Sequence, residues 1–283
     1  LTMNFTYLEK FPKLNKLCGY CKEAEDFAVK YPAPSCASAR KAMEFIVKMI
    51  YASLTGEYGV SVFEMVTDIR FVDYVNDQIL INSIHYIRKM GNVAVHQGDL
   101  KSDDALDVLD ELHFLVGEFC ILLGLIKDYP KFEEPTAASA APAKPAEPVK
   151  APEPEKKVIV EPELVAVFAE RMRATRFDVK FKRDEEENKK LFLTASLRES
   201  GWPIVNRPDT AMPCSAGLNM LLDDGDTVDY VLYGRDNRPL AIIDYTTTTK
   251  NLVEGRTKAI DKANKMSVKL GYKPIVYYTN GYH

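Results

Sequence analysis

The sequence predicts two domains, an all-α helical bundle followed by an α/β domain with a mixed sheet. Three observations predict this. Residues 133 to 157 form a Pro/Ala-rich linker. Before it, apolar residues recur at helical spacing. After it a helix, strands, a helix and a final strand follow one another, and within them Val228 to Thr246, VDYVLYGRDNRPLAIIDYT, reads as a hairpin.

Composition bounds the reading. A chain of 283 residues is long enough for two domains that each bury a core. The formal net charge of -4 is no basic footprint, so a nucleic-acid partner would be met by local positive patches or metal-bridged phosphates. No apolar run approaches the ~20 residues of a membrane span, and no signal peptide is expected at the start, so no membrane partner is predicted. Five cysteines, an odd number, lie mostly inside apolar patterns, which predicts reduced thiols and a cytoplasmic setting.

Residues 1 to 132 read as a bundle of about five helices. The first spans about Phe5 to Lys30 and breaks at Tyr31-Pro32-Ala33-Pro34. Ser35 or Ser38 is placed to cap the next, ARKAMEFIVKMIYASL, in which Ala42, Phe45, Ile46, Met49 and Ile50 share a face and Gly56 and Gly59 close the element. Further helices are expected at about Val62 to Asp68, Asp77 to Met90 and Asp103 to Ile126, the last capped at Ser102 or Asp103. Cys18 and Cys21 have the spacing of half a zinc site, but no second pair completes four ligands, which favours two thiols on a helix.

In the linker, six prolines in 25 residues bias the chain towards extended polyproline II, a semi-stiff tether that buries little. Beyond it, residues 158 to 283 form the second domain. Helices are expected at Glu163 to Thr175 and Asp184 to Glu199, with acids in the first turn of the latter and Gly201 at its end. Trp202 to Val205 begins a strand, the hairpin follows, Gly255 to Leu270 is a basic helix, and Pro274 to Tyr278 is a last strand.

The hairpin carries the chemistry. Arg235-Asp236-Asn237-Arg238 is turn chemistry between β-forming runs. Antiparallel pairing places Asp229, near the start of the first run, and Asp244, near the end of the second, at the same end of the sheet. Close carboxylates repel, and a divalent metal is the usual resolution. On the residues alone, two solvated strand-end acids account for the same spacing.

At Ile87 to Gly98 a helix is expected to end at Gly91, with Arg88, Asn92 and His96 converging across the break. With NFTYLEKFPKL at the start, Ala24-Glu25, ARKAMEF, RKMGNVAVH, Ser102 and Ala105, this half resembles the small helical domain fused to the front of type I restriction R subunits, a relative of HEPN domains. That resemblance implies an RNA-cleaving or RNA-binding site in which His96 moves a proton, Arg88 holds the phosphate and Asn92 is the polar neighbour. The residues alone also allow Asn92 and His96 to satisfy backbone groups around the turn.

The second half is similar to the nuclease domain of the same R subunits, a branch of the PD-(D/E)XK nucleases. The features are Glu187-Asn-Lys-Lys-Leu, Leu197-Arg-Glu-Ser-Gly201-Trp202, the strand Asp229-Tyr230-Val231-Leu232, the strand Pro239 to Asp244, and Thr279-Asn280-Gly281-Tyr282. The resemblance implies a restriction-endonuclease-like fold and a Mg²⁺-dependent (or Mn²⁺-dependent) endodeoxyribonuclease of bacterial restriction-modification and phage defence. Asp229 and Asp244 would hold the metal. The family's catalytic Lys falls at Thr246, and Lys258 and Lys262 occupy the positions of a Gln and a Tyr on the following helix. Either of those two lysines is a candidate replacement, Lys250 a further one, and with Lys265 they form a basic face for nucleic acid. Thr246 equally implies the other class, a degenerate nuclease fold that binds nucleic acid or protein without cutting. DNA is the expected partner and RNA an alternative. For a fragment of a larger translocase, methyltransferase and specificity subunits or a helicase motor join them. No GxxxxGK[ST] loop occurs, so no ATP site is expected in this chain.

Overall fold

A computed structural model describes residues 4–98, 100–136, 158–179, 183–205, 214–245 and 252–279. It divides into two compact units, Leu1–Arg183 and Asp184–His283. The first is all-α and the second α/β.

The first unit is built around α2 (Pro32–Thr55), which packs against α1 (Asn15–Phe27), α5 (Gln78–His96), α6 (Ser102–Leu122) and α7 (Pro162–Ala174). Two short 3-10 turns precede α1, and α3 (Val62–Thr67) and α4 (Ile69–Val75) link α2 to α5. The apolar face expected of α2 is buried: Ala42, Phe45, Ile46, Met49 and Ile50 are all fully enclosed. Its C-terminus ends at Gly56 with φ +75, a left-handed position that a side chain rarely adopts.

The start of α2 differs from expectation. Neither Ser35 nor Ser38 caps it, because Pro32, pre-set in φ, opens the helix. The Ser35 hydroxyl instead donates to the Ala24 carbonyl at 2.7 Å and Ser38 to Glu23 at 2.6 Å, tying α1 to α2. Ser102 is likewise not a cap. It is the first residue of α6, and its hydroxyl donates to the Val29 carbonyl at 2.9 Å.

The chain divides between Arg183 and Asp184, so residues 158–183 group with the helical unit. The cause is α7, whose Val165, Phe168, Ala169 and Met172 are buried. Burying such a side chain stabilises by about 1.5–3 kcal/mol for the larger ones, enough to hold a short helix on α2. The Tyr74 hydroxyl donates to the Met172 carbonyl, and Arg183 closes the unit through Asp110 and Glu111, each at 2.8 Å. Most of the linker, residues 137–157, lies outside the described residues.

The second unit follows the expected order of helix, strands, helix, strand. It contains α8 (Glu185–Glu199), β1 (Ile204–Val205), β2 (Ser215–Leu221), β3 (Thr227–Tyr233), β4 (Pro239–Tyr245), α9 (Leu252–Leu270) and β5 (Ile275–Thr279). The strands form one mixed sheet in chain order: β2-β3-β4 are antiparallel, while β1 runs parallel to β2 and β5 parallel to β4. The sheet is a packed middle layer. Tyr230, Leu232 and Ala241 pack with Leu197 of α8, whereas Val231, Tyr233 and Ile242 pack with Ala263 of α9. The alternation of β3 and β4 thus sends side chains to two different helices.

Candidate active site

The β3–β4 turn forms where Asn237 adopts φ 56, with Gly234 N–H donating to the Arg238 carbonyl at 3.0 Å. It sets the register Tyr230↔Ile243 and Val231↔Ile242. Continued by one pair, this register puts Asp229 directly across from Asp244. Asp229 alternates with Val231 and Asp244 with Ile242, so both carboxylates belong to the face that packs on α9.

That placement decides their environment. Asp244 is only 4% exposed. Its Oδ1 accepts a hydrogen bond from Lys262 Nζ of α9 at 2.6 Å, an ion pair whose side chains are 5% and 15% exposed. Asp229 Oδ2 accepts from the Tyr245 backbone N–H at 2.8 Å. The register sets the two residues side by side on this face. Burial, reinforced by the neighbouring Asp244 carboxylate, pushes Asp229 up to about 6 against the opposing pull of the Tyr245 N–H and the Lys262 ammonium.

The site therefore holds two acids and one cation, with Asp229 short of counter-charge. A hard divalent ion such as Mg²⁺ accepts this kind of set, because it binds through one or two carboxylates and completes its shell with water and substrate phosphate. The residues fit such an ion, which Asp229 and Asp244 would hold. Among the described residues no group of three or more His, Cys, Asp or Glu that could hold a metal ion is assembled.

Of the candidate lysines, α9 brings Lys262 to the acids and leaves Lys258 exposed one turn earlier. Lys265 is turned to the β2–β3 loop, where it pairs with Asp224 at 2.6 Å and Asp226 at 3.2 Å. Thr246 and Lys250 lie outside the described residues, as do Asn280 to Tyr282. The choice of Lys262 over Lys258 was readable in the helical period: Ala259, Ala263 and Met266 make the stripe that packs on the sheet, and Lys262 flanks it. Tyr245, whose backbone anchors Asp229, was not singled out. Its signal is only that it follows the second acid in an antiparallel register.

In the helical unit, α5 does not break at Gly91 but runs through it to His96. The expected convergence across a break is replaced by one helix face, with Arg88, Asn92 and His96 spaced four apart. The reason is a close approach: a Cβ at Gly91 would lie 2.6 Å from both Cβ and Cδ of Arg40 on α2. Glycine costs a helix about 1 kcal/mol relative to alanine, and here it lets Arg40 pack against α5. Arg88 lies over the Phe63 ring, 5.4 Å from its centroid, while His96 is exposed at the end of α5. Cys18 and Cys21 lie in α1 as free thiols, and burial pushes both up. No described helix is long and apolar enough to cross a membrane.

The chain matches no family model, no curated protein and no solved structure.

Proposed function

We propose that the second unit is a Mg²⁺- or Mn²⁺-dependent endodeoxyribonuclease of the type I restriction R-subunit kind, with a restriction-endonuclease-like fold. The observation that carries this reading is the convergence of Asp229, Asp244 and Lys262 on one face of the β3–β4 hairpin. Two facing acids and a lysine supplied from the next helix restore the charge pattern that a Thr in place of the family's Lys removes from the sequence.

Asp229 and Asp244 would hold the metal. When bound, that ion supplies Lewis acidity to a phosphodiester and to an attacking water. The protein's own residues have separate tasks. Tyr245 N–H orients the Asp229 carboxylate through Oδ2. Lys262 neutralises one of the two acids, which lowers the repulsion met by an anionic phosphate approaching the pair. Arg256 and Lys258, exposed on α9, would contact the DNA backbone. Partners of the R-subunit kind, methyltransferase and specificity subunits and a helicase motor, belong to the same reading.

Thr246 favours a second reading, a nuclease fold that holds nucleic acid or a protein without cutting. Supercoiled plasmid incubated with Mg²⁺, Mn²⁺ or chelator separates the two. Metal-dependent nicking abolished by Asp229→Ala is the expected result. No nicking with either metal, together with plasmid retention by the intact chain, favours the silent fold.

A further inference from the structure

We propose that the helical unit binds a neutral phenol-type ring in the cavity between α6 and the segment 129–132. The site lies within that unit and does not rest on the nuclease reading of the other.

The cavity measures about 310 Å³, at the lower end of the range for small-molecule sites. Rings make most of its walls: His113 and Phe114 come from α6, Tyr129 and Phe132 from the segment that follows. Centroid to centroid, the His113 ring stands 5.4 Å from that of Tyr129 and 5.7 Å from that of Phe132. Rings pack well on one another edge to face at such spacings, so a further flat ring extends the cluster.

A separate observation points to a polar group on that ring. His113 is 2% exposed, and its Nε2 has no hydrogen-bond partner among the described residues. Buried polar atoms are nearly always bonded, and an orphan on a residue that lines a cavity calls for a partner from the ligand. Burial holds this imidazole down at about 4, so at pH 7 it is neutral, with one N–H and one accepting nitrogen. A hydroxyl can donate to the one or accept from the other.

The charges around the cavity are already matched. Arg183 pairs with Asp110 and with Glu111, each at 2.8 Å, and its guanidinium lies over the Phe114 ring at 4.8 Å. Lys131, the remaining charged side chain of the lining, is exposed to water. An ionic ligand would therefore meet no unmatched buried counter-charge, which favours a neutral one. The walls are also held in place. The Tyr129 hydroxyl donates to Glu118 at 2.9 Å, and Asn4 brackets Glu133, accepting from its N–H and donating to its carbonyl, both at 2.9 Å. Side chains already positioned lose less entropy when a ligand arrives.

The test is calorimetric titration of the whole chain with 4-methylphenol, beside toluene, which lacks the hydroxyl, and benzoate, which carries a charge. 4-Methylphenol is expected to bind at one site per chain and about fivefold tighter than toluene, the scale of one net hydrogen bond. His113→Phe keeps a ring and removes the nitrogens, so the two probes are expected to bind it equally. Phe132 is only half-buried, so Phe132→Ala reports on the cavity even if His113→Phe impairs folding. It is expected to weaken 4-methylphenol about fivefold, as loss of an aromatic pair does. N-acetyltyrosinamide identifies the natural source: binding as tight as that of 4-methylphenol indicates a tyrosine side chain, weaker binding a free small phenol. The proposal is overturned by absence of 4-methylphenol binding, by toluene or benzoate binding as tightly, by a preference for the hydroxyl that survives in His113→Phe, or by indifference to Phe132→Ala.

Discussion

Lys262 on α9 places its ammonium 2.6 Å from the carboxylate of Asp244 on β4, eighteen positions earlier in the chain. The contact joins helix to sheet beside a second carboxylate, Asp229, which is half-buried. A largely buried ion pair adds little net stability over an apolar pair, but losing one partner strands the other. Here the stranded group would be one of two adjacent acids.

Lys262→Met is therefore expected to destabilise the second unit by about 3 kcal/mol, within the range for removing one partner of a buried pair. Asp244→Asn combined with Lys262→Met should recover part of that loss. Denaturant unfolding of the two single variants, the double and the parent closes the cycle. Strictly additive effects would mean that the pair is not coupled.

Asp229→Asn is expected to raise the melting temperature at pH 7.5. Its carboxyl, pushed up to about 6, is charged at that pH inside an enclosure that disfavours charge, whereas asparagine keeps an oxygen for the Tyr245 N–H. The same variant should lose Mn²⁺ binding in a calorimetric titration. Gain of stability with loss of metal affinity is the signature of an acid retained for function. A lowered melting temperature would show that Asp229 serves the fold instead.

Much of this arrangement was legible in the sequence, for identifiable reasons. The turn residues between two β-forming runs determine an antiparallel pairing, and that pairing alone brings Asp229 and Asp244 together. The sequence left Lys250, Lys258 and Lys262 as alternatives, and the ion pair with Asp244 falls to Lys262. What was not legible depends on contacts distant in the chain. Gly91 reads as a helix end until Arg40 is seen packed against it. Nothing local says that α7, after the linker, docks on α2 rather than on the sheet. Strand β2 was missed because Ser215 to Leu221, with Gly217 and Asn219 inside it, has little β-propensity of its own and is held by pairing with β3.

The helical unit has an acid-sensitive element in His113. It is 2% exposed among the rings of Phe5, Tyr129 and Phe132, and burial holds it down at about 4. The unfolded chain takes up this proton near pH 6.5 and the folded chain only near 4, so stability falls as pH drops through that interval, by up to about 1.4 kcal/mol per pH unit. Asp107, pushed up to about 6 by burial and neighbouring acids, acts in the opposite direction over part of the range. Comparison of His113→Leu with the parent isolates the histidine. The variant should lose less stability between pH 6.5 and pH 4.5, and parallel curves would contradict the assignment.

On the proposed function, the carboxylate pair and Lys262 form one metal-dependent site for cutting DNA. The decisive comparison is Mn²⁺-dependent plasmid nicking by Lys262→Ala and Lys258→Ala, measured beside the parent. The expected result is a loss of about a hundredfold or more for Lys262→Ala, the scale of removing a charge-stabilising group, and at most a few-fold change for Lys258→Ala. A parent that does not nick DNA, or a Lys262→Ala variant that nicks as fast as the parent, would contradict it.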